Sequence, residues 1–259
     1  MSRQYLSAYA QHFLKFLQAY AAEGVPIQAI TMQNEIDTDQ HGQMPARTWS
    51  QECDMEFIIE HLGPLFEKTN TSTKIWILDH NFIYWGRVIS ELDDPEFRRY
   101  TNSVAWHAYT GEPSMISKVR AAHPDAEMYD TEGSTDYNDP HYQDDWTKWS
   151  KTYTDVLNNW CRAAVAWNMA TDEHGKPNIG PYPCGGILII TRTRKRLFAA
   201  VSTGPWRTSR ARFNGALGDL SPKVKPPVSD TSRWKIPAAR KYLYLRTLAL
   251  PARSKSNWD

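Results

Sequence analysis

Ile27-Gln28-Ala29-Ile30-Thr31-Met32-Gln33-Asn34-Glu35 is the stretch on which the reading of this chain turns. Its first six residues form a short β-prone run, and the run closes on an amide and a carboxylate. Before it, Tyr5, Ala8, Tyr9, Phe13, Phe16, Leu17 and Tyr20 recur at helical spacing, a core stripe that Gly24 and Pro26 bring to an end. The unit is therefore helix, turn, strand and polar tip. It recurs four times. A helix through Glu56, Phe57, Ile58, Leu62 and Phe66 precedes the run Lys74-Ile75-Trp76-Ile77-Leu78, which ends at Asp79-His80. A helix around Tyr84–Leu92 precedes Ser103-Val104-Ala105-Trp106, ending at His107 with Tyr109 just beyond. Helix Met115–Ala122 leads to Glu127-Met128-Tyr129-Asp130 and Thr131-Glu132, and helix Trp146–Trp160 leads to Ala163-Ala164-Val165-Ala166 and Trp167-Asn168. Strand-and-helix repeats of about 30 residues predict a parallel α/β architecture.

A parallel sheet points all its C-terminal ends the same way, so these polar tips converge on one cleft, as at the catalytic face of a barrel. Any one tip has a plainer explanation. A carboxylate after a strand often serves a helix N-terminus, and a histidine there is often hydrogen-bonded scaffolding. Their coincidence at one edge is what argues for a site. His141, Asp144 and Asp145 could suggest a metal site, but they read more simply as an acidic helix start. Asp172-Glu173-His174-Gly175 reads as a turn. No metal and no cofactor is expected.

The chain has 259 residues, enough for one barrel-sized domain or two smaller ones. No apolar run approaches the roughly 20 residues of a membrane helix. Met1 leads straight into Ser2-Arg3-Gln4 and an amphipathic helix, so no secretory signal peptide is expected in it. Cys53, Cys161 and Cys184 are an odd count without Cys-x-x-Cys spacing, against a disulfide framework or a cysteine zinc site, with a single bridge left open. The net charge of +1 hides two compositions. Residues 1–190 carry 14 Lys+Arg and 26 Asp+Glu, a balance of −12. Residues 191–259 carry 16 Lys+Arg and 3 Asp+Glu, a balance of +13, with no sustained strand or helix period. A boundary near Ile190 separates a catalytic-looking domain, 1–190, from a basic tail, 191–259.

Glu35 and Glu132 are the carboxylates placed at strand ends. Cleaving a glycosidic bond needs two such groups, one keeping its proton for the leaving oxygen and one ionised to attack the anomeric carbon. Here the residues carry a resemblance. Met32-Gln33-Asn34-Glu35, His107-Ala108-Tyr109, Thr131-Glu132-Gly133, and Trp167-Asn168-Met169-Ala170 through Gly175-Lys176-Pro177-Asn178 resemble glycoside hydrolase family 30 in order and spacing, its glucosylceramidase-like branch above all. Cys184-Gly185-Gly186-Ile187 is similar to that family's exit from its last barrel strand. The resemblance runs from about Tyr5 to Ile187.

It implies a (β/α)8 TIM barrel carrying a small β-sandwich and acting as a retaining β-glycosidase. By motif Glu35 is implied as the acid/base at the end of barrel strand 4, and Glu132 as the nucleophile at the end of strand 7. Asn34 would bond the sugar 2-hydroxyl, His107 and Tyr109 would position the nucleophile, and Trp167 would form a sugar platform. Asp79 and Trp85 are further candidates for the cleft. Ile36 departs from the family's usual Pro. The substrate class implied is a β-glucoside, glycolipid or oligosaccharide, glucosylceramide first, with β-1,6-glucan, xylan or β-fucoside as alternatives. A non-catalytic remnant or carbohydrate-binding module is the alternative of another class. No nucleic-acid partner and no transmembrane segment are expected, the oligomeric state is open, and a secreted or periplasmic full-length relative is implied.

On this reading strands 1–3 and the first part of the sandwich are absent, so the barrel is incomplete, holding strands 4–8. Ile30, Ile75 and Ala105 are then expected to lose packing partners, leaving the chain poorly soluble and inactive on β-glucosides. The tail departs from the family's sandwich. If each codon starts at the old third base, synonymous codons for Val201–Gly215 can spell QYWALAHFSRAVQR, similar to the family's barrel-to-sandwich segment. The same offset turns Arg240–Ala249 into KVLVLTNTG, a plausible strand and turn. The tail is therefore read as frameshifted from about Ile190, and its basic charge as needing no nucleic acid.

Overall fold

The computed structural model describes residues 3–37, 47–134, 136, 138–140, 146–177, 184–190 and 197–199. His141, Asp144 and Asp145 lie outside them, as does the tail 191–259 apart from Leu197–Ala199, and so does the frameshift reading.

Helix α1 (Leu6–Ala22) leads to strand β1 (Ala29–Thr31). Next come α2 (Gln51–Glu56), a π-helical turn (Phe57–Leu62), α3 (Gly63–Lys68) and β2 (Lys74–Asn81). A 3-10 turn (Phe82–Tyr84), α4 (Trp85–Leu92) and α5 (Pro95–Arg98) lead to β3 (Ser103–His107). Helix α6 (Ser114–Ala122) precedes β4 (Glu127–Glu132), and α7 (Trp146–Asn158) precedes β5 (Cys161–Ala164). The five strands form one parallel sheet in chain order, β1-β2-β3-β4-β5, as expected for part of a β/α barrel. The last strand begins two residues earlier than its composition suggested, at Cys161, because β4 and β5 pair in the register Met128↔Cys161 and Asp130↔Ala164. A second sheet joins β6 (Ala170–Asp172), β7 (Leu188–Ile190) and β8 (Leu197–Ala199). Residues 173–174 form the expected turn after β6.

Alternation along the strands sends Ile30, Ile75, Ile77, Val104 and Met128 into a core shared with Leu6, Phe57, Leu62, Val88, Ile116 and Val156 of the helical layer. Ile30, Ile75 and Ala105, expected to lose packing partners, are 8%, 3% and 0% exposed, the two isoleucines because they face the helices. Burial of such a side chain is worth roughly 1.5–3 kcal/mol. The α1 stripe is rotated from its expected position. Leu6, Ala10, Leu14 and Leu17 are buried while Tyr5, Phe16 and Tyr20 are exposed, and Tyr9 reaches sideways to pack on Trp49 and Phe57. Beneath α4, Arg87 holds two wholly buried carboxylates, bonding Asp54 through Nη2 and Glu91 Oε1 through Nε at 2.7 Å. This ties α4 to α2.

The other face of the sheet is polar and aromatic. Lys74 Nζ and Arg162 Nη1 each lie 2.7 Å from Glu127, Tyr129 donates to Glu127 at 3.0 Å, and Trp76 stacks on Tyr129 at 3.9 Å between centroids. Cys53, Cys161 and Cys184 are free thiols.

Asp130 on β4 is fully buried, and neither of its carboxylate oxygens has a hydrogen-bond partner among the described residues. Burial first, and Glu132 beside it, push its pKa up to about 8 against the pull of His107. The protonated side chain is the form that folds. Its contribution to stability is therefore whole below about pH 4 and is lost as pH climbs towards about 8. Asp130→Asn removes that titration, so urea unfolding midpoints measured across this range should fall less steeply than in the parent chain. An unchanged slope would contradict the assignment.

Candidate active site

Four strand ends build the site. On β2, Leu78 and Asp79 adopt φ of 73° and 50°, and the register with β3 slips between Leu78 and His80. This bulge leaves Asp79 with no partner residue on β3 and lets its carboxylate act as a hub. Oδ2 accepts from Thr31 Oγ1 of β1 at 2.5 Å, and Oδ1 accepts from Thr131 Oγ1 of β4 at 2.9 Å. Oδ1 also lies 3.1 Å from His107 Nε2 at the end of β3. The Asp79 carbonyl accepts the Glu35 N–H at 3.0 Å, so the same residue holds the loop after β1. Burial alone would raise the Asp79 pKa. The hydrogen bonds from His107, Thr31 and Thr131, with the histidine's charge, outweigh it and hold the carboxyl below its ordinary range.

His107, essentially without solvent contact, stands between three carboxylates. Its Nδ1 is 3.3 Å from Glu35 Oε1, and its Nε2 is 3.1 Å from Asp79 Oδ1 and 3.9 Å from Glu132 Oε2. With a carboxyl oxygen accepting at each ring nitrogen, Glu35 Oε1 at Nδ1 and Asp79 Oδ1 at Nε2, the ring carries both protons. Burial opposes that charge, but the bonds to Asp79 and Glu35 prevail and push the His107 pKa up to about 10. Tyr109 donates to Glu132 Oε1 at 3.0 Å, and Asn81 Oδ1 fixes its loop by accepting from the Tyr109 and Thr110 N–H groups, each at 3.0 Å. Burial, then the Glu132 charge, raise the Tyr109 pKa, so its hydroxyl remains a donor. Burial also raises Glu132 above the usual carboxylate range, while His107 and Tyr109 draw it back.

Glu35, Glu132, His107, Tyr109 and Asp79 thus come together. Glu35 is in the left-handed region, φ 50°, a conformation that costs a non-glycine residue and persists where its surroundings hold it. The side chains of Glu35 and Glu132 keep 15% and 19% of their surface in contact with solvent. Asn34 is exposed beside Glu35. Trp167 follows β5, half exposed, with its N–H bonded to the Gly133 carbonyl at 2.9 Å, one residue past Glu132. Trp85 is not brought to the carboxylates. It opens α4 against the core, with Lys118 Nζ 4.1 Å from its ring centroid.

Its neighbour Tyr84 faces the site instead, stacked on His80 at 4.9 Å and donating to Asp37, which also bonds His80 Nε2. Sequence reasoning named His80 only as a strand tip and missed Asp37, Tyr84, Asn81, Thr31 and Thr131. Thr31, Asn81 and Thr131 share the strand-end signal of the others. Asp37 and Tyr84 carry no such signal, since folding alone brings two loops together. Glu35, His80 and His107 also each place a possible metal-ligand atom within 4.8 Å of the others, as do Glu56, Glu60 and His61 on the helical layer.

Known proteins resemble this chain in sequence and fold. An endo-1,6-beta-D-glucanase of Neurospora crassa is 34% identical over 185 residues, 69% of this chain and 36% of that protein. The lysosomal acid glucosylceramidase of Mus musculus is 24% identical over 66% of this chain and 36% of its own length. Among solved structures, an endo-beta1,6-glucanase superposes with a TM-score of 0.72 at 25% identity, covering 79% of this chain and 48% of the other. The chain therefore spans less than half the length of these relatives. The model of the glycosyl hydrolase family 30 TIM-barrel domain matches residues 1–198, and with the five parallel strands and their converging polar ends it shows that the chain belongs to glycosyl hydrolase family 30.

Proposed function

We propose that this chain carries the catalytic edge of a retaining β-glycosidase, with Glu35 as acid/base and Glu132 as nucleophile. One observation carries the reading. Both carboxylates face the same buried imidazole, Glu35 Oε1 at 3.3 Å from Nδ1 and Glu132 Oε2 at 3.9 Å from Nε2, so they share one cleft at one edge of the sheet. In the first step Glu132 attacks the anomeric carbon as the glycosidic bond breaks, and Glu35 gives its proton to the departing oxygen. In the second, Glu35 takes a proton from water, the water oxygen bonds the same carbon, and Glu132 leaves as a carboxylate. Tyr109 occupies Oε1 of Glu132, leaving Oε2 for the attack. A buried carboxylate needs such donors to stay ionised, and the His107 charge supplies further attraction. Trp167 beyond β5 offers an exposed aromatic face, and Asn34 an exposed amide.

For the substrate, a β-1,6-linked glucan stands ahead of glucosylceramide. The support is the likeness to the Neurospora crassa endo-1,6-glucanase, at 34% identity, against 24% for the mouse glucosylceramidase. Glucosylceramide remains the second reading on the strength of that relative. In a chain whose barrel is completed by the three preceding strands of a relative, initial rates on β-1,6-glucan oligosaccharides should exceed those on glucosylceramide. The reverse order would reinstate the second reading.

The roles are tested in the same completed chain. Glu132→Gly should abolish turnover, with azide restoring it by entering the vacated space. Glu35→Ala should lower turnover of unactivated glycosides by about 10²–10⁴-fold while sparing aryl glycosides whose leaving groups need little protonation. Equal losses in both variants without azide rescue would overturn the assignment.

A further inference from the structure

We infer that Glu35, His80 and His107 form a binding site for a divalent transition cation, Zn2+ being the ion their chemistry suits. Glu35 Oε1 lies 3.3 Å from His107 Nδ1 and 3.9 Å from His80 Nδ1, and the three residues place one ligand atom each within 4.8 Å of one another. Ligands held about 2.0–2.1 Å from a tetrahedral Zn2+ are about 3.3 Å apart. The Glu35–His107 pair already has that spacing, while His80 Nδ1 has about 0.6 Å to close towards Glu35 and at most about 1.5 Å towards His107. Two imidazoles and a carboxylate are also the ligand types that zinc sites with three protein ligands use, the fourth position remaining open.

The state of His80 is an independent pointer. The residue is 4% exposed, and its Nδ1 is buried with no hydrogen-bond partner among the described residues. A buried polar nitrogen left without a partner is costly. This one faces a carboxylate oxygen at a distance too long for a hydrogen bond and too short for an intervening water. A cation between the two would give that nitrogen a partner.

The surroundings have the character of a metal site. Each imidazole uses its second nitrogen to bond a carboxylate, His80 Nε2 with Asp37 and His107 Nε2 with Asp79 at 3.1 Å. Such carboxylate–histidine pairs orient metal-binding rings and raise their basicity. Asp37 is itself held by Tyr84, whose ring stacks on His80, and Thr31 and Thr131 hold Asp79. The ion takes the place of the proton shared by His107 Nδ1 and Glu35, so one proton is released for each ion bound. On the glycosidase reading above, the ion would hold the Glu35 carboxyl in its ionised form and keep it from delivering a proton, making Zn2+ an inhibitor. Binding itself does not depend on that reading.

The test is a calorimetric titration of the 259-residue chain with Zn2+, repeated with Co2+ by absorption. One ion should bind at this site, and His80→Ala should weaken it by more than about 100-fold. Asp37→Asn, which removes an orienting carboxylate, should weaken it by about 10–100-fold. His61→Ala, in the separate Glu56/Glu60/His61 group, should leave this binding event within about twofold, since it alters no ligand or orienting residue. Should His80→Ala lose its circular-dichroism melt, Asp37→Asn decides, because that side chain is 47% exposed. No binding, unchanged affinity in Asp37→Asn, or a thiolate-to-cobalt charge-transfer band pointing to cysteine ligation would overturn the inference.

Discussion

The open edge of the sheet depends on one carboxylate. Asp79 sits where β2 bulges, and its two oxygens and its carbonyl tie together β1, β3, β4 and the loop bearing Glu35. Hydrogen bonds to a charged acceptor are shorter and stronger than neutral ones, and burial leaves them little competition from water. The bulge makes this possible. A regular strand would have kept Asp79 in alternation with its neighbours, whereas two successive left-handed residues redirect it. The unfavourable backbone at Leu78, Asp79 and Glu35 is held in place by the bonds it permits.

That hub sets the electrostatics of the cleft. Three carboxylates surrounding a buried ring would repel one another if the ring were neutral. As an imidazolium, His107 compensates Asp79 most directly, then Glu35, and Glu132 at longer range. The result is graded. Asp79 has three donors and a low pKa, whereas Glu132 has one close donor, Tyr109, and a raised one. Two carboxylates within 4 Å of the same histidine thus differ in proton affinity, Asp79 held down by its hydrogen bonds and Glu132 raised by its burial.

The opposite ends of the same strands follow another logic. Lys74, Glu127, Arg162 and the Trp76–Tyr129 stack form a layer of charge and aromatic surface on the sheet face away from the helices. Lys74 and Arg162 keep more than half of their side-chain surface in contact with solvent. The helix-facing side is apolar and closely packed, so it supplies most of the burial that holds these strands. This division explains why Ile30 and Ile75 are well packed in a sheet whose order ends at β1 and β5.

Much of this was legible from local pattern. Apolar runs near 30 residues apart, each closing on a polar pair, identified the strands and their order, and a parallel arrangement required those ends to meet. Glu35, His107, Tyr109 and Glu132 were therefore nameable before any coordinate. Periodicity was less informative about orientation. The expected α1 stripe was mostly aromatic, but beside its Leu17 the buried face is made by the smaller Leu6, Ala10 and Leu14, because side-chain bulk does not say which face meets the sheet. Composition likewise placed β5 two residues late, since register with β4, a property of the pair, sets where it begins. The bulge at Asp79, the Asp37–His80–Tyr84 contacts and the unpartnered His80 nitrogen arise only when separate loops and strands close on one another. Strand order and the chemical identity of the cleft belonged to the sequence, because both follow from residue type and local period. Which nitrogen meets which oxygen belonged to the tertiary structure, because hydrogen bonds a few ångströms long join residues dozens of positions apart.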